Sequence, residues 1–406
     1  MLVTHIPFAR SQDGTPLVDA LWARDLMGLR ASAGPIRVAA PEYSDIAAMG
    51  TWGPGLVELR PESGIEFAGF APVRSRRDLW KWPSIRAVLR REVEACDLVH
   101  TSNFFPPYLG LNYAHDLAVT LGKRTLFVIA EDFTDMLSWE WVRTAPGAFQ
   151  RWRRERGLRK IDARVRRSAA SAGLTFLHTP AAVERYRLAA RNSVAIRQPG
   201  HETSDILSNT LLEQRLASLT SGRPLRIVCA ARHSGLKGLD LLIDACALLQ
   251  QRGIPVEADL YGQGPDTDAL RARISARGLE GKVRLPGSIP PGPGLYTALS
   301  AGDLFLMPHR TTDFGRAFFD AMAAALPVLA FRTPASTDTV YDGIDGFLSP
   351  LDDVQGLAER IGYLATDRET LARASRAARR RALENTRQTW YALRAAWTNN
   401  LLNEAI

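Results

Sequence analysis

The residues with the clearest chemical capacity lie between Arg232 and Asp320. An apolar run, Leu225 to Ala231, ends in Arg232, and Lys237-Gly238 follows at the head of an amphipathic helical pattern, Leu239 to Leu249. A second apolar run, Leu304 to Pro308, breaks into the polar loop His309-Arg310-Thr311-Thr312-Asp313-Phe314-Gly315. Arg316 then opens a small-residue helix that carries Asp320 in its first turns. Two cations and the free N–H groups of a helix N-terminus can converge on one anion, and phosphate sits readily in such a place. A nucleoside diphosphate gains charge as its bond to a sugar breaks, and Arg232 and Lys237 are the cations placed to stabilise that charge without a metal. Arginine grips oxygens in pairs, while lysine acts as a point charge. Asp320 has the chemistry to accept hydrogen bonds from ribose hydroxyls; the competing reading makes it a helix-dipole partner. Thr312 and Asp313 are candidates for contacts to sugar hydroxyls, and His309 for stacking on the nucleotide sugar or bonding to it. Phe314, Gly315 and Arg316 are the place of close backbone approach.

Tyr261-Gly262-Gln263-Gly264-Pro265 forms a strand-to-helix turn that does not complete the six-residue dinucleotide fingerprint. It reads as a structural turn at the rim of the nucleotide pocket, with Gly262 beside the donor. In the first half, Pro7 to Thr15 is expected to be a loop at the carboxyl end of the first strand, the edge where α/β sheets bind ligands. Gly14 is assigned to the donor side, and Asp13 and Thr15 to the acceptor side. Glu131 and Asp132 follow an apolar strand at the same edge. They are suited to bind an acceptor hydroxyl or take up its proton, although Asp132 also suits a helix N-cap. His100 is expected to end its strand in the same way.

These residues need a scaffold, and the 406-residue chain is long enough for two domains with proper cores. Its 46% hydrophobic content is that of an ordinary globular protein. No apolar run reaches the roughly 20 residues that span a bilayer, and the N-terminus lacks the basic start of a signal peptide. A cytoplasmic protein is the expectation. Cys96, Cys229 and Cys246 sit far apart in apolar segments, so neither a disulfide framework nor a metal site is expected.

Short apolar strands alternate with helical patterns almost throughout, which predicts a doubly wound α/β fold. Strands are expected at Leu2–Ile6, Ile36–Ala40, Leu56–Leu59, Leu98–Thr101, Thr125–Ala130 and Leu174–His178, with helices at Pro16–Leu29 and Pro83–Ala95. The second half predicts strands at Leu225–Ala231, Val256–Tyr261, Val283–Pro286, Leu304–Pro308 and Val328–Phe331. The organisation is an N-terminal acceptor domain, 1–200; a breaker-rich linker, 201–223; a donor domain, 224–385; and a final helix, 386–406.

Net charge is +8, and only five basic residues are lysines. Residues 150–167 hold eight arginines and Lys160 around Trp152, opposed within the segment only by Glu155 and Asp162. Arg74, Arg76, Arg77 and Lys81 flank Trp80 and Trp82. Cationic surfaces with interfacial tryptophans bind anionic lipid headgroups, which makes an anionic membrane surface one candidate partner. A solvated helix face is the other reading. No nucleic acid is expected, since no recognition motif accompanies the charge.

Four stretches together resemble the retaining GT-B glycosyltransferases of family 4, the glycosyl transferases group 1. They are Arg232 with Lys237-Gly238-Leu239-Asp240-Leu241-Leu242-Ile243; Tyr261-Gly262-Gln263-Gly264-Pro265; Val283-Arg284-Leu285-Pro286-Gly287; and Phe314-Gly315 with Asp320-Ala321-Met322 and Leu326-Pro327-Val328. The resemblance implies two facing Rossmann-like doubly wound domains, with a last helix, Trp390 to Leu402, that crosses back to the N-domain. It also implies retention, independence of metals, no cofactor, and a nucleotide-diphosphate sugar as co-substrate. The acceptor would be a carbohydrate, a lipid-linked saccharide or a small molecule, with the protein peripheral on the inner face of the plasma membrane in the lipid-linked case. The family's glutamate pair, anchored on Phe314-Gly315, falls on Thr312 and Asp320, so only the second acid is retained. Its N-domain histidine falls at Glu131-Asp132. Two rival readings use the same fold: a nucleotide-sugar 2-epimerase, and a sugar-nucleotide-binding scaffold without turnover.

Overall fold

The computed structural model of the chain describes residues 1–52, 55–73, 75–103, 109–130, 141–219, 223–310 and 315–403. They form two compact units, one of Met1–Arg197 with Trp390–Ile406 and one of Gln198–Thr389.

The second unit is a six-stranded, fully parallel sheet. Its strands are β11 (Leu225–Ala230), β12 (Val256–Tyr261), β13 (Val283–Gly287), β14 (Leu304–Met307), β15 (Val328–Phe331) and β16 (Gly346–Ser349). Their order is β13-β12-β11-β14-β15-β16. A parallel sheet is covered by helices on both faces, so its strands read as unbroken apolar runs. Strands β14 and β15 are buried at every residue.

The first unit has ten strands: β1 (Leu2–Val3), β2 (Phe8–Arg10), β3 (Pro16–Asp19), β4 (Ile36–Tyr43), β5 (Leu56–Glu58), β6 (Ile65–Phe70), β7 (Leu98–Ser102), β8 (Arg124–Ile129), β9 (Leu174–Leu177) and β10 (Ser193–Ala195). The parallel core runs β6-β4-β1-β7-β8-β9-β10, and β2, β3 and β5 extend β4 as a mostly antiparallel flap. In both units the chain works outward from a central strand in one direction, returns, and works outward in the other. This is the doubly wound order, with a switch point beside the central strand.

The flap corrects the expected loop at Pro7–Thr15 and the expected helix at Pro16. Strands β2 and β3 form a hairpin, with Ala9 opposite Leu17. Gly14 turns it at φ +85°, and the Ser11 N–H bonds to the Thr15 carbonyl at 2.9 Å. This is a short hairpin loop closed by a left-handed glycine. Pro16 is tolerated as the first residue of a strand. The helix starts only at Ala20, where Asp19 caps it by accepting the Trp22 N–H at 3.0 Å.

The 201–223 linker is also corrected. Residues 209–217 are helical, and Leu212 and Leu216 pack with Ala325 inside the second unit. At the other end, Trp390 and Trp397 of helix Arg387–Asn403 pack against the Leu126, Leu174 and Phe176 cluster of the first unit. Tyr391 donates to Asp25 at 2.9 Å.

Candidate active site

In the second unit the switch point lies between β11 and β14. The chain leaves both strands at the same edge, and α/β sheets bind ligands in the crevice there. Arg232 stands two residues beyond β11. It is exposed, and its side chain makes no hydrogen bond or ion pair among the described residues. The 3₁₀ turn Gly235–Lys237 follows, and helix Leu239–Gln251 then begins with no side-chain cap on its first N–H groups. Across the switch point, helix Arg316–Ala323 follows Gly315, again with no side-chain cap. Two helix N-termini and Arg232 therefore border one crevice, and their partial and full positive charges suit an anion. Lys237, half-buried, is close enough to β11 for its charge to oppose the effect of burial on the Cys229 thiol, which burial pushes up to about 12.

Close packing holds these loops in place. Gly238, at φ +66°, leaves no room for a Cβ against the Pro308 carbonyl. Gly262, at φ +134°, is likewise closed off by the Ala231 carbonyl. Gly262 thus locks the turn after β12 onto the turn after β11, which is a packing role. Arg310 ties the two switch-point loops together. Its backbone N–H donates to the Leu236 carbonyl at 2.9 Å, its Nη1 to the Gly235 carbonyl at 2.9 Å, and its Nε to Asp352 at 2.5 Å.

Asp320 lies on helix Arg316–Ala323 and receives a hydrogen bond from the Tyr296 hydroxyl at 3.1 Å. Gly200 packs so closely that a Cβ there would stand 2.8 Å from the Asp320 Oδ1 and 3.5 Å from the Cδ of Arg316. The C-terminal carbonyls of the same helix are satisfied from the stretch expected to be a linker. The Leu207 N–H donates to the Ala323 carbonyl at 2.8 Å, and Arg215 donates to Ala324 at 2.8 Å and to Ala325 at 2.5 Å. A helix end leaves such carbonyls without intrahelical partners, so these bonds fix the helix that presents Asp320. Burial pushes the Arg215 guanidinium down to about 10, so it stays charged at neutral pH.

His309 is not a loop side chain open to a ligand. It is fully buried, its ring edge-on to Phe318 at 5.2 Å. His233 is not among the residues expected in the site, yet it lies buried between the turns after β11 and β12. Its Nδ1 is 3.0 Å from the Thr267 hydroxyl, and burial lowers its pKa. A polar residue directly after Arg232 at a strand end was the available signal. Thr312, Asp313 and Phe314 lie outside the described residues.

In the first unit, Asp13, Gly14 and Thr15 form the tip of the β2–β3 hairpin. Asp13 is bound by the Ser11 hydroxyl and the Thr15 N–H, which hold its carboxyl down to about 2. Its local work is closing the turn. His100 does not end its strand: β7 continues to Ser102, and the side chain lines a pocket at the opposite, amino edge of the sheet. Glu131 and Asp132 lie outside the described residues. Among the described residues, no group of three or more His, Cys, Asp or Glu side chains is arranged to hold a metal ion, and no helix is long and apolar enough to cross a membrane.

The fold and this crevice define a class. The chain superposes on HepE from Anabaena, solved in complex with UDP, with a TM-score of 0.68 at 19% identity, covering 98% of this chain and 99% of the other. That likeness shows the fold, two Rossmann-like units of the GT-B class. Residues 224–367, all within the second unit, match the family model Glycosyl transferases group 1. Among curated relatives, the amylovoran biosynthesis glycosyltransferase AmsK of Erwinia amylovora is 33% identical over 142 residues, 34% of this chain and 35% of AmsK. The GDP-mannose-dependent alpha-(1-6)-phosphatidylinositol monomannoside mannosyltransferase of Mycolicibacterium smegmatis is 31% identical over 170 residues, 40% of this chain and 44% of that enzyme. The matched stretches span less than half the length of these relatives.

Proposed function

We propose that the protein is a retaining, metal-independent glycosyltransferase that moves a sugar from a nucleotide-diphosphate donor to a hydroxyl of a glycan or lipid-linked saccharide. The observation that carries this reading is the exposed, unpaired Arg232 with Lys237 beside two uncapped helix N-termini at the switch point. The diphosphate lies there, the cations take up the charge that develops as it leaves, and Asp320 accepts from the ribose. The departing phosphate helps deprotonate the acceptor hydroxyl attacking on the same face, so no protein nucleophile is required. The amylovoran biosynthesis in the name of AmsK and the phosphatidylinositol monomannoside in that of the Mycolicibacterium smegmatis enzyme support a glycan or lipid-linked acceptor.

The test is calorimetry in the presence of chelator with a panel of nucleoside diphosphate sugars, followed by mass analysis of donor and acceptor. At least one donor should bind and its sugar should appear on an acceptor. Asp320→Asn should weaken that binding by about tenfold or more, the worth of one charge-assisted hydrogen bond. Binding that requires magnesium or manganese, or an epimerised donor without transfer, would overturn the reading. Normal affinity in Asp320→Asn would leave that residue as a helix-dipole partner.

A lipid-linked acceptor requires contact with a bilayer, and helix Ala148–Ser171 carries the surface for it. Arg151, Arg153, Arg156 and Arg159 are exposed, and Phe149 and Trp152, 70% and 52% exposed, stack at 5.9 Å. Trp82 drops out of the expected patch, because its ring packs against Tyr113 at 5.7 Å; Trp80 stays 76% exposed. Changing Arg151, Arg153 and Arg156 together to glutamine should weaken binding to phosphatidylserine vesicles by about 100-fold at low salt, at about 1 kcal/mol per cation. Nucleotide-sugar affinity should not change. A wild-type protein that ignores such vesicles at low salt would make this a solvated face and favour a soluble acceptor.

A further inference from the structure

Between the sheet of the first unit and helices Ala20–Ala33 and Arg387–Asn403 lies a cavity of about 70 Å³. It sits at the amino ends of β1, β4 and β7, where Leu2, Ile36 and Leu98 line it, away from the carboxyl edge where α/β sheets bind substrates. Its walls are apolar except at Arg394, His100, Thr398 and Met1, whose ammonium donates to the Leu98 carbonyl at 2.8 Å.

Arg394 is the anomaly. The side chain is half-buried and makes no hydrogen bond or ion pair among the described residues, and of its guanidinium the Nε is buried without an acceptor. The guanidinium lies over two ring faces, Phe176 at 5.7 Å and Tyr391 at 5.5 Å. Asp25, an acid whose charge reaches it, already accepts from the Tyr391 hydroxyl. His100 adds no second charge, because burial, reinforced by Arg394, pushes its pKa down to about 3. With Asp25 engaged by Tyr391 and the Nε without an acceptor, the guanidinium keeps donors free towards the pocket, and an anion entering it would gain both the charge and those donors. Arginine pairs with a carboxylate through two parallel bonds. The volume exceeds the roughly 30 Å³ of one liquid water and is about half the roughly 150 Å³ that accommodates benzene. That room suits a carboxylate with a short alkyl chain.

We propose that this cavity binds a short-chain monocarboxylate, its carboxylate paired with Arg394 and its alkyl end among Leu29, Leu98 and Leu126. The full chain is melted in sodium propionate and in sodium chloride of equal ionic strength. Propionate should raise the unfolding temperature saturably, and chloride should not. Arg394→Met should abolish the propionate response while melting no lower than wild type in chloride. Ala33→Leu, which fills the cavity from the facing helix and leaves Arg394 in place, should abolish it too. Equal shifts in propionate and chloride, no shift in either, or a propionate response that survives both substitutions would overturn the assignment.

Discussion

Arg232→Ala and Lys237→Ala are each expected to lower turnover by at least about 100-fold while the protein melts at its wild-type temperature. Both cations stand at the switch point of a buried parallel sheet, where the proposed reaction would build charge on the leaving diphosphate. A preorganised charge aimed at that group acts chiefly in the transition state, and removing one such contact costs about 100- to 1,000-fold in rate. Arg232 is exposed and its side chain makes no hydrogen bond or ion pair among the described residues, so truncating it should cost little stability. Arg232→Lys should recover part of the rate, because it restores the charge without the planar two-pronged grip. Rates within a few fold of wild type in both alanine variants would place the diphosphate elsewhere.

Arg215→Ala should have the largest effect on stability, although Arg215 lies in a stretch that reads as a linker. Its guanidinium donates to the carbonyls of Ala324 and Ala325 at the end of the helix that carries Asp320. Hydrogen bonds from a charged donor contribute about 1.5–3 kcal/mol each, so losing two should cost about 3 kcal/mol or more. For a unit of this size that is a drop of about 6–12 °C in its melting temperature. Nucleotide affinity should fall with it, because the helix loses the anchor for its far end. A change below 2 °C would mean that water replaces the guanidinium at those carbonyls.

The two variants mark the boundary between what is legible in the sequence and what is not. Arg232, Lys237 and the helix that bears Asp320 are legible because each follows directly on a continuous apolar strand. A parallel strand buried on both faces advertises itself, and the residues leaving its carboxyl end can be read off the next few positions. The expected strands at Val256–Tyr261 and Val328–Phe331 match the observed bounds. Strand β16 is not legible, because its four residues are too few and too mixed, Gly-Phe-Leu-Ser, to show a period. Strand β6 is hidden in the sequence, because Gly69 interrupts its pattern where the sheet passes close to Glu42.

The first unit shows how local pattern misleads. Asp13-Gly14-Thr15 reads as a loop before a helix, because nothing local records that β2 pairs with β3 and, through Phe8 and Glu42, with β4. His100 looks like a residue at the end of its strand until the pairing of Ser102 with Val128 shows that β7 runs on.

By itself, then, the sequence determined the doubly wound class, the place of the cations and the position of Asp320 on its helix, all properties of short segments whose burial pattern is written in their own residues. The tertiary structure alone decided which residues hold those segments. Arg215 reaches a carbonyl 110 positions away, His309 turns inward against Phe318, and Arg394 enters a cavity built from the other end of the chain. Such contacts depend on where distant backbones come together, and no spacing along the chain encodes that.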